Sequence, residues 1–188
     1  MILLYQSLIR SRLEYCSALW NPSKIEDIAN LESIQRLFTS KISGLQDLHY
    51  WDRLKSLNMM SLQRRRERFI ILHMYKICHN LTDNDLNIIF TKTKRRETTA
   101  IVPPIARGSS CRAQSLYDCS FSVMGPRLWN KLPNDVRRKN SFDSFKAALT
   151  KMMLSLPDRP PVQGYPSRNS LLDFPGVHTF GGCFSVEE

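Results

Sequence analysis

Chemistry through two metal ions needs clustered carboxylates, because divalent cations a few ångströms apart must share oxygen ligands. Asp83 and Asp85 form a close acidic pair just before the basic middle of the chain. It lacks the glycine and terminal glutamate of a calcium loop and reads as helix capping. Cys78 and His79 are adjacent, but no second ligand pair stands at zinc-finger distance. His49, His73, His79 and His178 have no Cys or Asp arrangement suited to nucleophilic catalysis. There is no G-x-S-x-G elbow, no H-E-x-x-H and no phosphate-cradling glycine loop. The expectation is a chain with no catalytic residues, cofactor, metal or small-molecule substrate of its own.

The chemistry that remains is charge. Residues 61–80, SLQRRRERFIILHMYKICHN, hold the densest run of positive side chains and are also the strongest helix in the sequence. Ser61 can accept a hydrogen bond from a free first-turn amide. Leu62, Phe69, Ile70, Leu72 and Ile77 share one face at 100° per residue, with Arg64 and Arg68 directed away. Arg66 falls inside the apolar face and needs a partner, for which Glu14 is the candidate, forming a structural ion pair. The run can be a solvated face plus that pair, or Arg64, Arg65 and Arg68 can touch phosphates.

The elements that would position these residues are helical. Residues 2–20 carry Leu4, Leu8, Cys16 and Trp20 near helical spacing and stop at Asn21-Pro22. Ser23 and Glu26 read as a capping box for a second helix, with Ile28, Leu31, Ile34 or Gln35, Phe38 and Ile42 on one face and Gly44 as the stop. A short third helix covers 50–57. Four helices with short links make a small bundle over 1–81, with Trp20, Tyr50, Trp51 and Phe69 as its aromatic filling.

Residues 82–120 read as a basic linker, with Lys92, Lys94, Arg95 and Arg96 crowded together and extended pieces near 98–102. A C-terminal helical segment occupies 121–156. It holds a short helix or turn closed by prolines, then a helix capped by Asn140 or Ser141 with Phe142, Phe145, Leu149 and Met152 on one side. Residues 157–188, with five prolines and four glycines, read as a disordered tail. The fold class expected is mainly α: a small helical bundle, a long basic linker, a short C-terminal helical segment and a disordered tail.

The 188 residues carry a net charge of +10, distributed as +5 over 1–81, +2 over 82–120, +5 over 121–156 and −2 over the tail. The helical parts are the basic parts, a balance that suits nucleic acid or another anionic surface. Cys16, Cys78, Cys111, Cys119 and Cys183 are odd in number and contain no C-x-x-C, so free buried thiols in a reducing compartment are expected. The opening apolar run is too short for a signal peptide, and its arginines follow it where charge should precede. No stretch reaches the roughly 18 to 20 apolar residues of a membrane span. An intracellular location, nuclear or cytoplasmic, is expected, without a membrane partner. A first residue followed at once by core-like residues suggests a piece of a longer protein.

Five stretches, taken together and in order, resemble a known family. Residues 5–22, YQSLIRSRLEYCSALWNP, are similar to the segment that follows the polymerase core in reverse transcriptases of non-LTR (LINE, jockey-like) retrotransposons. Residues 120–123, SFSV, running into LWNKLP at 128–133 and SFDSFK at 141–146, resemble the C-terminal end of the same polyproteins. Between them lie LESIQR at 31–36, Tyr50 with Arg53-Leu54, and LQRRR at 62–66, in the family's order and within a coverage of about 1–155.

The resemblance implies RNA-directed DNA polymerisation by the whole family protein, usually beside an endonuclease. The Tyr- or Phe-Ala-Asp-Asp loop that holds catalytic magnesium in that family is absent; the nearest counterpart, Tyr117-Asp118-Cys119, lacks the paired aspartates. The polymerase would then lie upstream of Met1, and no catalytic residue carries over. The tail after Leu156 has no counterpart in the family. On this resemblance the chain is a non-catalytic segment for which two roles stand open, beside that of a relic with no present function. In the first, Arg64, Arg65, Arg68, Lys92, Lys94, Arg95 and Arg96 bind RNA or DNA backbone. In the second, the segment is a scaffold that docks on the upstream polymerase region and presents a large exposed apolar patch. An independent enzyme is disfavoured, because acid, base, nucleophile and ligand constellations are all missing.

Overall fold

The central helix begins where its capping residue predicts. In the computed structural model, which describes residues 2–82, 91–95, 98–102, 117–162 and 169–174, Ser61 Oγ accepts from the Arg64 amide at 3.2 Å. The fold is mainly helical. In chain order, α1 (Ile2–Leu4), a π-helical turn (Tyr5–Arg10) and α2 (Ser11–Glu14) run on from one another, followed by α3 (Ser17–Trp20), α4 (Ile25–Ser40), α5 (Tyr50–Ser56) and α6 (Leu62–Cys78). Strands β1 (Thr91–Arg95) and β2 (Thr98–Val102) pair antiparallel, with Thr91 opposite Val102 and Arg95 opposite Thr98. Then come α7 (Phe121–Lys131), α8 (Asn134–Arg137), α9 (Phe142–Ser155) and a 3₁₀ turn (Leu171–Asp173).

Helix α6 is the axis of one shared core. Its Ile70, Ile71, Met74 and Tyr75 pack with Leu128, Trp129 and Leu132 of α7 and with Phe145, Leu149, Met152 and Met153 of α9. The C-terminal helices therefore complete the core of the N-terminal ones. Tyr75 stacks on Phe145 at 4.3 Å between centroids and donates its hydroxyl to the Lys139 carbonyl at 2.9 Å. The aromatic filling is Tyr75, Trp129 and Phe145. Of the aromatics expected there, Tyr50 is buried, Phe69 and Trp51 are half-buried, and Trp20 lies at the surface. Gly125 lets α7 approach closely, since a Cβ at that position would lie 2.6 Å from Met74 Sδ. Helix α7 also runs through Pro126 instead of stopping there.

A smaller cluster joins Tyr5 to Tyr50, Leu54 and Met59, with Tyr5 stacked on Phe38 at 4.1 Å. Within residues 2–20 the expected face is turned over: Tyr5 is buried, whereas Leu4 and Leu8 point to solvent at 63% and 61% exposure. Two local features accompany this. Ser7 and Ser11 return their hydroxyls to carbonyls one turn earlier along the π-helical turn. Cys16, in the left-handed region at φ 50°, then separates α2 from α3.

Helix α4 starts at Ile25 with Lys24 as N-cap and no side-chain cap bond, so the expected capping box of Ser23 and Glu26 is not formed. Its buried face carries Ile28, Glu32, Gln35 and Thr39, while Ile34 and Leu37 are exposed. That face is polar because it meets the amino terminus of α6, where free amides need acceptors.

The linker and tail both contribute structure. Ile101 of β2 is 2% exposed, and its backbone N–H and C=O are both bonded by the Asn130 side chain, at 3.1 and 2.8 Å. The disordered tail expected from residue 157 is corrected for 157–162 and 169–174. Asp158 accepts from the Ser61 amide and hydroxyl at 2.8 and 2.9 Å, Leu171 is fully buried, and its amide donates to Glu67 at 2.9 Å. These contacts satisfy charged and polar groups that α6 buries, and apolar periodicity carries no trace of them. The remaining tail residues lie outside the described ones.

Candidate nucleic-acid and docking surfaces

The stretches 31–36, 50–54 and 62–66, separated in sequence, converge on the amino terminus of α6. Glu32, 1% exposed, accepts from the Tyr50 hydroxyl at 2.6 Å and receives the Leu62 amide on both oxygens at 3.1 Å. Gln35 accepts from the Tyr5 hydroxyl at 3.1 Å and donates to Tyr50 Oη at 3.0 Å and to the Met60 carbonyl at 3.1 Å. Glu32 and Ser61 thus cap α6 and place negative charge at the positive end of its dipole. Burial pushes the Glu32 carboxyl up to about 7, against the opposing pull of the Tyr50 hydroxyl and the Leu62 amide. Glu67 is likewise raised to about 7 by burial, opposed first by the Arg64 charge.

The arginines divide by burial. Arg64 was expected to point away from the core; instead it is fully buried, donates from Nη2 to the Pro157 carbonyl at 3.2 Å and faces the Phe174 ring at 5.1 Å. It cannot reach a phosphate without undoing the tail. The pair expected between Arg66 and Glu14 is also corrected: Glu14 takes both Nε and Nη2 of Arg65, the latter at 3.0 Å, with Arg10 4.0 Å away. Arg66, 1% exposed, donates from Nε to Asn21 Oδ1 at 3.1 Å. Burial lowers its pKa, and Glu32, then Glu67, then Glu14 favour its charge. The phase of the helix explains the exchange, because Arg65 turns toward α2 while Arg66 turns inward between the two buried glutamates.

Arg68 alone of the expected phosphate contacts on α6 opens onto a free basic surface. Its Nε donates to Thr150 Oγ1 at 3.0 Å, and it borders a shallow trough of about 470 Å³ with Lys146, Thr150 and Lys151 of α9, where Asp143 is the acidic member. Burial lowers the Arg68 pKa, followed by the charge of Arg65. Lys146 and Lys151 are not among the cations expected at phosphates, although their spacing on the capped α9 is legible in the sequence. Lys92, Lys94 and Arg95 have their backbones on β1, and Arg96 lies outside the described residues.

The second surface is apolar. Over residues 3–20, Leu3, Leu4, Leu8, Tyr15 and Leu19 are 79%, 63%, 61%, 75% and 80% exposed. Leu3, Leu4 and Leu8 lie around the buried Tyr5, and Leu8, Tyr15 and Leu19 fall within residues 5–22, the stretch that carries the first part of the family resemblance.

Among the described residues, no group of three His, Cys, Asp or Glu is placed to hold a metal ion, and no helix is long and apolar enough to cross a membrane. Comparison of the chain with protein-family models, with curated proteins and with solved structures finds no match in any of the three.

Proposed function

We propose that this chain is a non-catalytic helical segment of a retrotransposon-type RNA-directed DNA polymerase, and that it docks on the polymerase region through the apolar face of residues 3–20. The observation that carries the reading is the exposure of Leu3, Leu4, Leu8, Tyr15 and Leu19, each more than 60% exposed, on one short segment. An apolar surface left in water is the mark of an interface. The occupant follows from continuity, since residues 5–22 resemble the segment that adjoins the polymerase core in that family.

The test is binding of the purified chain to the polymerase region of a jockey-like reverse transcriptase, followed by calorimetry. A micromolar complex is expected, weakened at least tenfold by Leu8→Glu with Leu19→Glu, two surface changes that leave the core intact. No complex, or one indifferent to these changes, refutes the docking.

A second reading is favoured by the trough of Arg68, Lys146 and Lys151: contact with the RNA or DNA backbone, independent of sequence. Replacing these three cations by alanine should then weaken oligonucleotide binding evenly across sequences and reduce the salt slope by about one for each phosphate no longer neutralised. An unchanged slope refutes it.

A further inference from the structure

A second cationic site, outside the arginine run of α6, lies between two earlier helices. Helices α4 and α5 border an open cleft of about 480 Å³ lined by Arg36, Arg53, His49, Tyr50 and Trp51, with Leu48 and Val162 as its apolar members. Arg53 is 6% exposed, and its Nε is buried without a hydrogen-bond acceptor among the described residues. Its guanidinium lies 5.8 Å from the Tyr50 ring centroid, and the Tyr50 hydroxyl is already committed to Glu32. Among the described residues the lining contains no carboxylate. Arg36, from the facing helix, adds a second positive charge to the same cleft. Burial lowers the Arg53 pKa, with Tyr50 opposing that shift and Arg36 adding to it.

Two guanidiniums facing one cleft, one of them nearly buried and short of an acceptor, are costly unless an anion completes them. Their planar donors match phosphate oxygens. Beside them, the rings of His49 and Trp51 stack at 5.2 Å and 11°, with His49 exposed and Trp51 half-buried. That pair offers a flat π surface next to the charges, the combination that holds a nucleotide by its base and its phosphate at once. The volume also falls within the range of small-ligand clefts, about 300–1,000 Å³.

We infer that the Arg36–Arg53 cleft binds one nucleotide unit, its phosphate between the two guanidiniums and its base against the His49–Trp51 pair. The inference stands on the cleft alone and does not depend on the family reading or on the docking face. The nucleotide can come free or as part of a single strand, and the phosphate-plus-base chemistry is the same for both.

The test titrates the full chain with AMP, adenosine, inorganic phosphate and a short single-stranded oligouridine, followed by tryptophan fluorescence and calorimetry. AMP is expected to bind at least tenfold more tightly than adenosine or phosphate, with a quench that is lost in Trp51→Phe. Arg53→Gln should abolish binding. Because that residue is buried and the variant can fail to fold, Arg36→Gln is the deciding change and should weaken binding at least tenfold with the circular dichroism spectrum unchanged. Oligouridine binding more tightly than AMP assigns the site to a nucleic-acid strand, and AMP binding as tightly or more so assigns it to a free nucleotide; both uphold the inference. It is overturned if neither AMP nor oligouridine binds, if phosphate binds as well as AMP, or if Arg36→Gln leaves the affinity unchanged.

Discussion

Replacing Glu32 by alanine should be among the most damaging single changes in the molecule, even though it removes a charged residue. The carboxylate is the acceptor for the Tyr50 hydroxyl and for the Leu62 amide, the first free N–H of the central helix. Both donors are buried, and each loses about 1–3 kcal/mol when its partner is deleted. Arg66 also loses the carboxylate that most favours its charge. Relief of the cost of burying Glu32 offsets part of this, leaving an expected loss of about 2–4 kcal/mol, a large share of the ~5–15 kcal/mol typical of a folded domain. Urea unfolding followed by circular dichroism measures it. At a slope of about 2 kcal/mol per molar, the midpoint should fall by roughly 1–2 M. Glu26→Ala, exposed on the first turn of the same helix, serves as the control and should lie within about 0.5 kcal/mol of the parent chain. A Glu32→Ala loss under about 1 kcal/mol would refute the view that this carboxyl caps α6 and anchors the polar core.

Three further outcomes are expected. Because burial raises both Glu32 and Glu67 from 4.5 to about 7, the folded chain retains protons that the unfolded chain has released. Their contribution to stability is therefore full below the unfolded value of 4.5, declines as pH rises toward about 7 and levels off above it. The urea midpoint should be higher at about pH 5.5 than at about pH 8, with a shallower difference in Glu32→Gln; a flat or rising profile in the parent chain contradicts this. Leu171→Ala, in the stretch expected to be disordered, should cost about 2–5 kcal/mol in the same assay, as for any fully buried leucine; an effect within about 0.5 kcal/mol would mean the tail is not part of the core. A double-mutant cycle on Glu14 and Arg65 should return a coupling of about 0.5–1 kcal/mol, whereas the cycle on Glu14 and Arg66 should return less; the reverse order would restore the pairing read from the sequence.

Local elements are written in the chain itself. The Ser61 and Ser141 caps, the short helix over 50–57, the central helix and the buried stripe of Phe145, Leu149 and Met152 are all legible, because caps and helical periods are encoded within one or two turns. Most of the α6 stripe holds in the same way: Leu62, Ile70, Leu72 and Ile77 are buried.

The partners of polar groups are a property of the assembled fold. A buried arginine can be recognised from the wheel, as Arg66 is, but which carboxylate answers it depends on helix crossings set by residues far away. Glu14 pairs with Arg65, and Glu32, on a helix read as apolar-faced, turns inward to cap α6. The same reason governs the tail: Asp158 and Leu171 are ordered by groups on α6 about a hundred positions earlier, to which their own composition gives no clue. It governs the surfaces as well. The helical stretch at 2–14 turns Tyr5 inward and leaves Leu4 and Leu8 in water, and the meeting of α4 with α5 brings Arg36 beside Arg53. Local composition sets where a helix starts and how it is striped, while the rotation of each helix against its neighbours decides which charges are neutralised inside and which remain to meet a partner.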